Sequence, residues 1–446
     1  MHDMDLLYAR AQMGLSLAFH IVFAAAGIAL PLLMVLSDLK ARRTGDADYA
    51  LLSRKLAKGT AILFAVGAVS GTVLSFELGL LWPAFMGTYG EVIGLPFALE
   101  GTAFFTEAVF LGIYLYGRER IPAGLHLFSG VMVALSGAAS AFFVTLVNVF
   151  MNDPSGFTLT AGGPVNVDPV AAMFSPGWRH QTAHTLLACY QASAFAMAGI
   201  HAFVLLRHPG AAFHRKALSI ALPLACLSAL VQPLVGHQSA EHVARAQPLK
   251  LAAAEGLFQT QRGAGLSVGG LPDVETGTMR YALEIPRGLS IMAFMDPDAE
   301  VKGLDAFPRD EWPPVAKVHV AFQVMVGTGG AMALLAVVTL FLRWRRKAWP
   351  EDRRVLWGWL LCGPLGVVAM EAGWLVTEWG RQPWIIRGVM RTGEAVTPVQ
   401  HLAAPFWTFT LVYVFLGAMV VFLMVRQVAG TLPGHEPPAG EVAHEH

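Results

Sequence analysis

The chain has 446 residues, of which 55% are hydrophobic and only 14% charged, with a formal net charge of zero. A soluble protein carries roughly a quarter charged residues, so this composition excludes an ordinary globular domain, and the neutral balance offers no basic field for nucleic acid. Apolar runs of about 20 residues recur and are continuous rather than alternating, which points to membrane-crossing helices and excludes a β-barrel.

In chain order the runs fall at about 14–37, 60–82, 94–116, 125–151, 183–206, 217–236, 317–342, 355–378 and 401–425. The expected fold is all-α, a polytopic membrane protein of about nine transmembrane helices. Residues 1–236 would hold helices 1–6, 237–316 a long external loop rich in Gly and Pro, 317–425 helices 7–9, and 426–446 a disordered tail. Met1 to Arg10 lacks a basic n-region and the first run is too long for a cleaved leader, so it is expected to remain as a helix. Cys189, Cys226 and Cys362 fall inside apolar runs without metal spacing and read as small core residues.

Orientation follows from lysine and arginine in the short loops. One side receives Lys40, Arg42, Arg43, Arg54, Lys55 and Lys58, then Arg118 and Arg120, then Arg207, Arg215 and Lys216, and finally a cluster from Arg343 to Arg354. The other has Arg10, Arg179, Arg381, Arg387 and Arg391. The N-terminus and the long loop are therefore expected outside and the C-terminus in the cytoplasm.

An ionisable group inside a span costs several kcal/mol unless it is paired or useful, so each is a candidate for function. His20 lies in the outer half of helix 1. Glu100 is near the outer end of helix 3, with Glu107 seven residues on, on the same face and about 10 Å deeper. His184 opens helix 5, Met325 lies just inside helix 7, and Glu378 ends helix 8 beside Trp374 and Arg381. These groups share one level near the outer face. Histidine and thioether are ligand types of haem iron, and arginine and tryptophan can hold propionates or stack on a macrocycle. His180 is a rival to His184. His126, His201, His208 and His214 read as structural or interfacial histidines, and the roles of Glu77 and Glu371 stay open.

Several stretches resemble subunit I of the cytochrome bd-type quinol oxidases: "RAQMGLSLAFH", "LPFALEGTAFFTEAVFLGIYLYG", "HTLLACYQASAF", "AFQVMV" and "EAGWLVTEWGRQPW". The resemblance runs through all nine spans, and the "GRQPW" after an acidic helix is its most specific part. It implies that His184 and Met325 are the axial pair of a low-spin haem b. His20 would serve one of two high-spin haems and Glu378 the other, a haem b and a haem d (or a further haem b in its place), with Trp374, Arg381 and Arg10 around them. Glu100, Glu107, Ser140 and Asn148 resemble a proton route to the oxygen site. "QPLKLAAAE" resembles the quinol-binding segment, with Gln247, Lys250 and Glu255 at the substrate, which makes 237–316 a short Q loop.

The implied activity is that of a terminal oxidase in a bacterial cytoplasmic (inner) membrane. It would oxidise a membrane quinol outside and reduce O2 to water with protons drawn from the cytoplasm, separating charge without pumping. A second membrane subunit and a small single-helix subunit are the implied partners. The sequence departs from the family at Gln323, where an arginine is common and a positive charge near the low-spin haem is thereby lost. It departs again at His237 and Gln238, where some members carry an acidic pair. Both features resemble the cyanide-insensitive branch. The rival readings fit less well: dihaem cytochromes need repeated histidine pairs, haem–copper oxidases need a histidine cluster for copper, and a proton-coupled secondary transporter with buried Glu and His predicts internal repeats.

Overall fold

The computed structural model describes residues 2–432. Among them nine helices are long and apolar enough to cross a bilayer, as the hydropathy predicts. They are His2–Thr44, Ala47–Leu81, Pro83–Gly117, Ala123–Asn152, Trp178–Arg207, Ala212–Ala246, Val315–Arg346, the two-part Arg353–Cys362 and Leu365–Trp379, and Ala403–Ala429. Most extend well beyond the apolar runs, because a helix continues into water as long as capping and propensity allow. The first eight pack as consecutive antiparallel pairs, and the ninth lies against the first and second. Short connections enforce this. Gly45, at φ +69°, turns the chain, and Asp46 caps the second helix by accepting from the Asp48 amide at 2.9 Å.

The eighth span breaks at Gly363–Pro364, where proline supplies no amide hydrogen and glycine admits a neighbouring backbone. A Cβ on Gly199 of the fifth span would lie 3.0 Å from the Gly363 Cα, and one on Gly366 would lie 2.5 Å from the Ala192 Cα. Small residues thus let the two spans touch backbone to backbone. This contact fixes the direction of Leu365–Trp379, which ends on Trp374, Glu378 and Trp379.

The long loop begins later than expected. The sixth helix runs to Ala246, so residues 237–246 belong to it, and the loop proper starts at Gln247. The loop has secondary structure of its own. A short helix, Pro248–Glu255, is followed by nested antiparallel ribbons: Leu271–Asp273 with Thr278–Arg280, Leu266–Val268 with Leu283–Ile285, and Gln261–Arg262 with Glu300–Val301. Leu251, Ala253, Leu289, Val301 and Leu304 form its own buried core against Val315 and Val318 of the seventh span. The ninth helix continues to Ala429, so the expected tail is helical at its start. Most of that tail, 433–446, lies outside the described residues.

Candidate functional site

A cavity of about 1790 Å³ runs through the half of the bundle nearest the long loop. Of the residues singled out in the sequence, His20, Glu100, Glu107, Ser140, Asn148, His184, Gln247, Lys250, Met325, Trp374, Glu378, Arg381 and Arg10 all line it. Glu255 does not. Arg10 stands at the mouth, where a smaller pocket of about 680 Å³ adjoins.

His20 Nδ1 lies 2.9 Å from Ser70 Oγ on the second span. The Ser70 hydroxyl donates its one hydrogen to the helix backbone, at Val66 O or Gly67 O, so it can only accept from the imidazole. Nδ1 therefore carries the hydrogen and Nε2 presents a lone pair, the state a metal requires. Gly71 makes room for the ring: a Cβ there would meet His20 Cε1 at 3.0 Å. Ser70 was not identified in the sequence, because one serine in a membrane helix carries no distinguishing signal.

His184 Nδ1 is buried without a hydrogen-bond partner. Gly236 and Gly373 leave space for the two members of the expected axial pair, since a Cβ would come within 3.4 Å of His184 Cε1 in one case and 2.9 Å of Met325 Sδ in the other. His180 Nδ1, one turn earlier, lies 3.1 Å from Ser239 Oγ, whose hydroxyl donates to Val235 O. Its Nε2 is buried against Gly177 and the His242 ring.

Glu378 is held at both oxygens. Asn148 Nδ2 donates to Oε1 at 2.6 Å, and Arg381 Nη2 to Oε2 at 2.5 Å. Arg381 is buried, and its Nε and Nη1 have no partner. A buried guanidinium with two idle donors beside a cavity calls for an anion there. The imidazoles, thioether, carboxylate and unsatisfied arginine together fit haem with its propionates, while no cluster suited to a bare metal ion exists among the described residues.

Ser140 Oγ donates to Glu100 Oε1 at 3.0 Å. The Glu107 carboxylate is buried beside Gly137, whose missing side chain leaves 3.3 Å to Oε2. Asn148 sits apart from this acid pair. Its Oδ1 accepts from Gln181 at 2.6 Å and from Asn152 at 3.1 Å, so its hydrogen bonds serve Glu378 rather than Glu100. Asn152, also missed in the sequence, accepts through Oδ1 from Lys250 Nζ. Two side-chain amides therefore link Lys250 to Glu378.

Lys250 and Glu255 are not brought together. Lys250 reaches the cavity, and burial, with the Arg381 charge added, brings its ammonium down to about 7. Glu255 is enclosed within the loop, both oxygens lack a partner, and burial pushes its carboxyl up to about 8. Gln247 lines the cavity with an unpaired Oε1. Gln323 is used differently from the sequence expectation. Its amide donates to Ser267 O at 2.8 Å and accepts from Gly269 N at 3.0 Å, pinning a ribbon of the loop to the seventh span. His319, one turn before it, faces Ala254 O and Gly269 O at 2.8 and 3.1 Å.

The family description "Cytochrome bd terminal oxidase subunit I" matches residues 8–431. A Bacillus subtilis (strain 168) protein carrying the name of a cytochrome bd menaquinol oxidase subunit I is 38% identical over 428 residues, covering 94% of this chain and 96% of its own. The cytochrome bd ubiquinol oxidase subunit 1 of the same organism is 30% identical over 438 residues, covering 95% and 93%. Among solved structures, the bd oxidase from Geobacillus thermodenitrificans superposes with a TM-score of 0.89 at 40% identity, covering 95% of this chain and 98% of that one. These findings do not support the transporter reading. They imply haem cofactors and, because the relatives are subunit I of their oxidases, a second subunit. With nine apolar helices, the chain is a multi-pass bacterial membrane protein and a quinol-oxidising oxidoreductase. It belongs to the cytochrome bd terminal oxidase subunit I family.

Proposed function

We propose that this subunit carries the whole path from quinol to oxygen, and that His184 and Met325 hold a low-spin haem b while His20 and Glu378 hold the two high-spin haems. The observation that carries this reading is the single cavity shared by these four side chains, the acid pair and Lys250. Bound there, the low-spin haem b, a high-spin haem b and a haem d (or a further haem b) would pass quinol electrons to O2 and reduce it to water.

The residues divide the remaining work. Ser70 keeps His20 in the ligating tautomer. Asn148 and Arg381 orient Glu378 through both its oxygens, and the idle donors of Arg381, with Arg10, take propionates. Trp374 packs beside them. Glu100 and Glu107, with Ser140, hold and hand on protons drawn from the cytoplasmic side. At the outer face Gln247 and Lys250 bind the quinol oxygens. Glu255 supports the loop that carries them, a narrower role than its sequence suggests, because its carboxylate does not reach the cavity. The charge of the short loops sets the N-terminus and the 247–314 loop outside and the C-terminus in the cytoplasm. Oxidising quinol outside and consuming protons from inside then separates charge without a pump. A second subunit and a small single-helix subunit would complete the complex in the cytoplasmic membrane.

A reduced-minus-oxidised visible spectrum of the purified protein tests the cofactor assignment, with one low-spin and two high-spin signals expected. A colourless folded preparation overturns it. Proteoliposomes turning over quinol should build a membrane potential, and its absence overturns the vectorial route.

A further inference from the structure

Quinol oxidation releases protons, and a group beside the bound hydroxyl must take them. Glu255 is closed away from the cavity, and residues 237–238 are His and Gln rather than a carboxylate pair. The titratable side chains that do line the cavity near Gln247 and Lys250 include Asp153, His180, His237 and His242. One pair among them is arranged as base and orienter. His242 Nε2 lies 3.1 Å from Asp153 Oδ2. Asp153 Oδ1 accepts from Arg387 Nη2 at 2.9 Å, and Arg387 Nε donates to Asn152 O at 2.6 Å. Asn152 in turn accepts from Lys250 Nζ. The dyad and the proposed quinol lysine are thus fastened to adjacent residues of one chain segment.

We infer that His242 is the general base that takes the proton of the quinol hydroxyl, with Asp153 holding it in the working tautomer. This rests on the quinol-binding reading of Lys250 given above. An ionised carboxylate only accepts, so Nε2 bears the hydrogen and Nδ1 keeps its lone pair. Nδ1 makes no hydrogen bond among the described residues. His242 and Asp153 have side-chain exposures of 23% and 18%, enough to pass a proton on to water. The neighbouring imidazoles lack one feature each. His180 has its Nε2 buried. His237 is 42% exposed and 3.7 Å from Glu241, with no carboxylate in hydrogen-bond range to set its tautomer.

In the step itself the quinol O–H bond breaks and its proton moves to Nδ1. One electron leaves the quinol for the oxidase, whose reduction of O2 supplies the oxidant. The imidazolium then loses its Nδ1 proton to outer water and is ready for the second hydroxyl. The charges around it are Asp153 from the end of the fourth span, which steadies the cation, and His180 from the fifth, whose ring lies 4.7 Å away. Arg387 acts through Asp153, and His237, Glu241 and Arg245 lie on the same helix.

The test uses the assembled oxidase with its second subunit and compares His242→Gln and Asp153→Asn with the wild type, measuring quinol-driven O2 consumption across pH. His242→Gln should lower kcat roughly 100-fold, the scale of a general base, with KM little changed and the acid limb of the pH profile lost. Asp153→Asn should cost about 10-fold, as an orienting partner does, and move that limb to lower pH. Haem spectra and O2 consumption driven by an artificial one-electron donor should match the wild type in both. A His242→Gln enzyme that keeps its kcat and its acid limb overturns the inference. If that variant fails to assemble, an unchanged pH profile in Asp153→Asn overturns it instead. Failure of the quinol reading looks different: Lys250→Met would then leave the quinol KM unaltered, and the base would fall with the site.

Discussion

The half of the bundle nearest the 247–314 loop and the opposite half handle buried polar groups in contrasting ways. Away from the loop they satisfy one another. Asp38 pairs with Arg42 at 3.0 Å, and His126 Nε2 faces Tyr114 O at 3.0 Å. Ser53 and Tyr114 hydroxyls meet at 2.8 Å, and His201 contacts His214, which faces Thr431 O. The orphans on that side are single hydroxyl or indole atoms, at Thr60, Thr339 and Trp359. Toward the loop, His184, His180, Gln247, Glu255 and Arg381 all bury unpartnered atoms of ionisable or amide side chains. Leaving such a group unmade costs about 1–3 kcal/mol each, and more when charged. One half is therefore built for stability, and the other accepts that cost for groups that meet a ligand or a proton.

Substitutions in the two halves should have different consequences, and the largest is expected at the axial pair. Met325→Leu should remove the low-spin band from the reduced-minus-oxidised spectrum, keep the high-spin bands, and abolish quinol-driven turnover. Retention of the low-spin band would show that the thioether is no ligand. Ser70→Ala frees the His20 tautomer without touching a ligand. High-spin haem retention should fall about 10- to 100-fold, as when other orienting partners are lost, and heme extraction against a competing apoprotein would measure it.

The loop itself should respond to pH in two opposed directions. Glu255 moves from 4.5 to about 8 on burial, so the folded loop holds a proton that the unfolded one has released. Its stabilising effect is complete below 4.5 and is lost as pH rises toward 8. Lys250 moves from 10.5 down to about 7, so its effect is complete above 10.5 and is lost as pH falls toward 7. Proteolytic nicking of the loop should therefore be fastest at about pH 7–8. Glu255→Gln should flatten the acid side and Lys250→Met the alkaline side, and a pH-independent nicking rate would show that neither group senses the fold. The smallest effect is expected in the opposite half. His201→Gln should lower stability by about 1 kcal/mol, read as a modest drop in Tm, with haem spectra and kcat unchanged.

Some of this was legible along the chain and some was not. Nine spans follow from hydropathy because the bilayer imposes one local rule on every segment. Glu100 and Glu107 share a face because a seven-residue step is close to two helical turns. The partners that fix each group were silent. Ser70 lies 50 residues from His20 and Asn152 98 from Lys250, and neither pair has a spacing signal. Gln323 was read by the charge it lacks, yet its amide is occupied by two backbone groups of the loop.

By itself, then, the sequence determined what is local: helix number, which residues could ligate or carry protons, and the approximate depth of each. Tertiary structure alone decided which groups share a cavity. It put Lys250 inside and Glu255 outside, although five residues separate them, because a helix turn aims side chains at such spacing toward different surroundings. It also decided tautomers and idle donors, at His20, His242 and Arg381. Those depend on hydrogen-bond partners delivered by distant segments, and no periodicity in one chain segment encodes them.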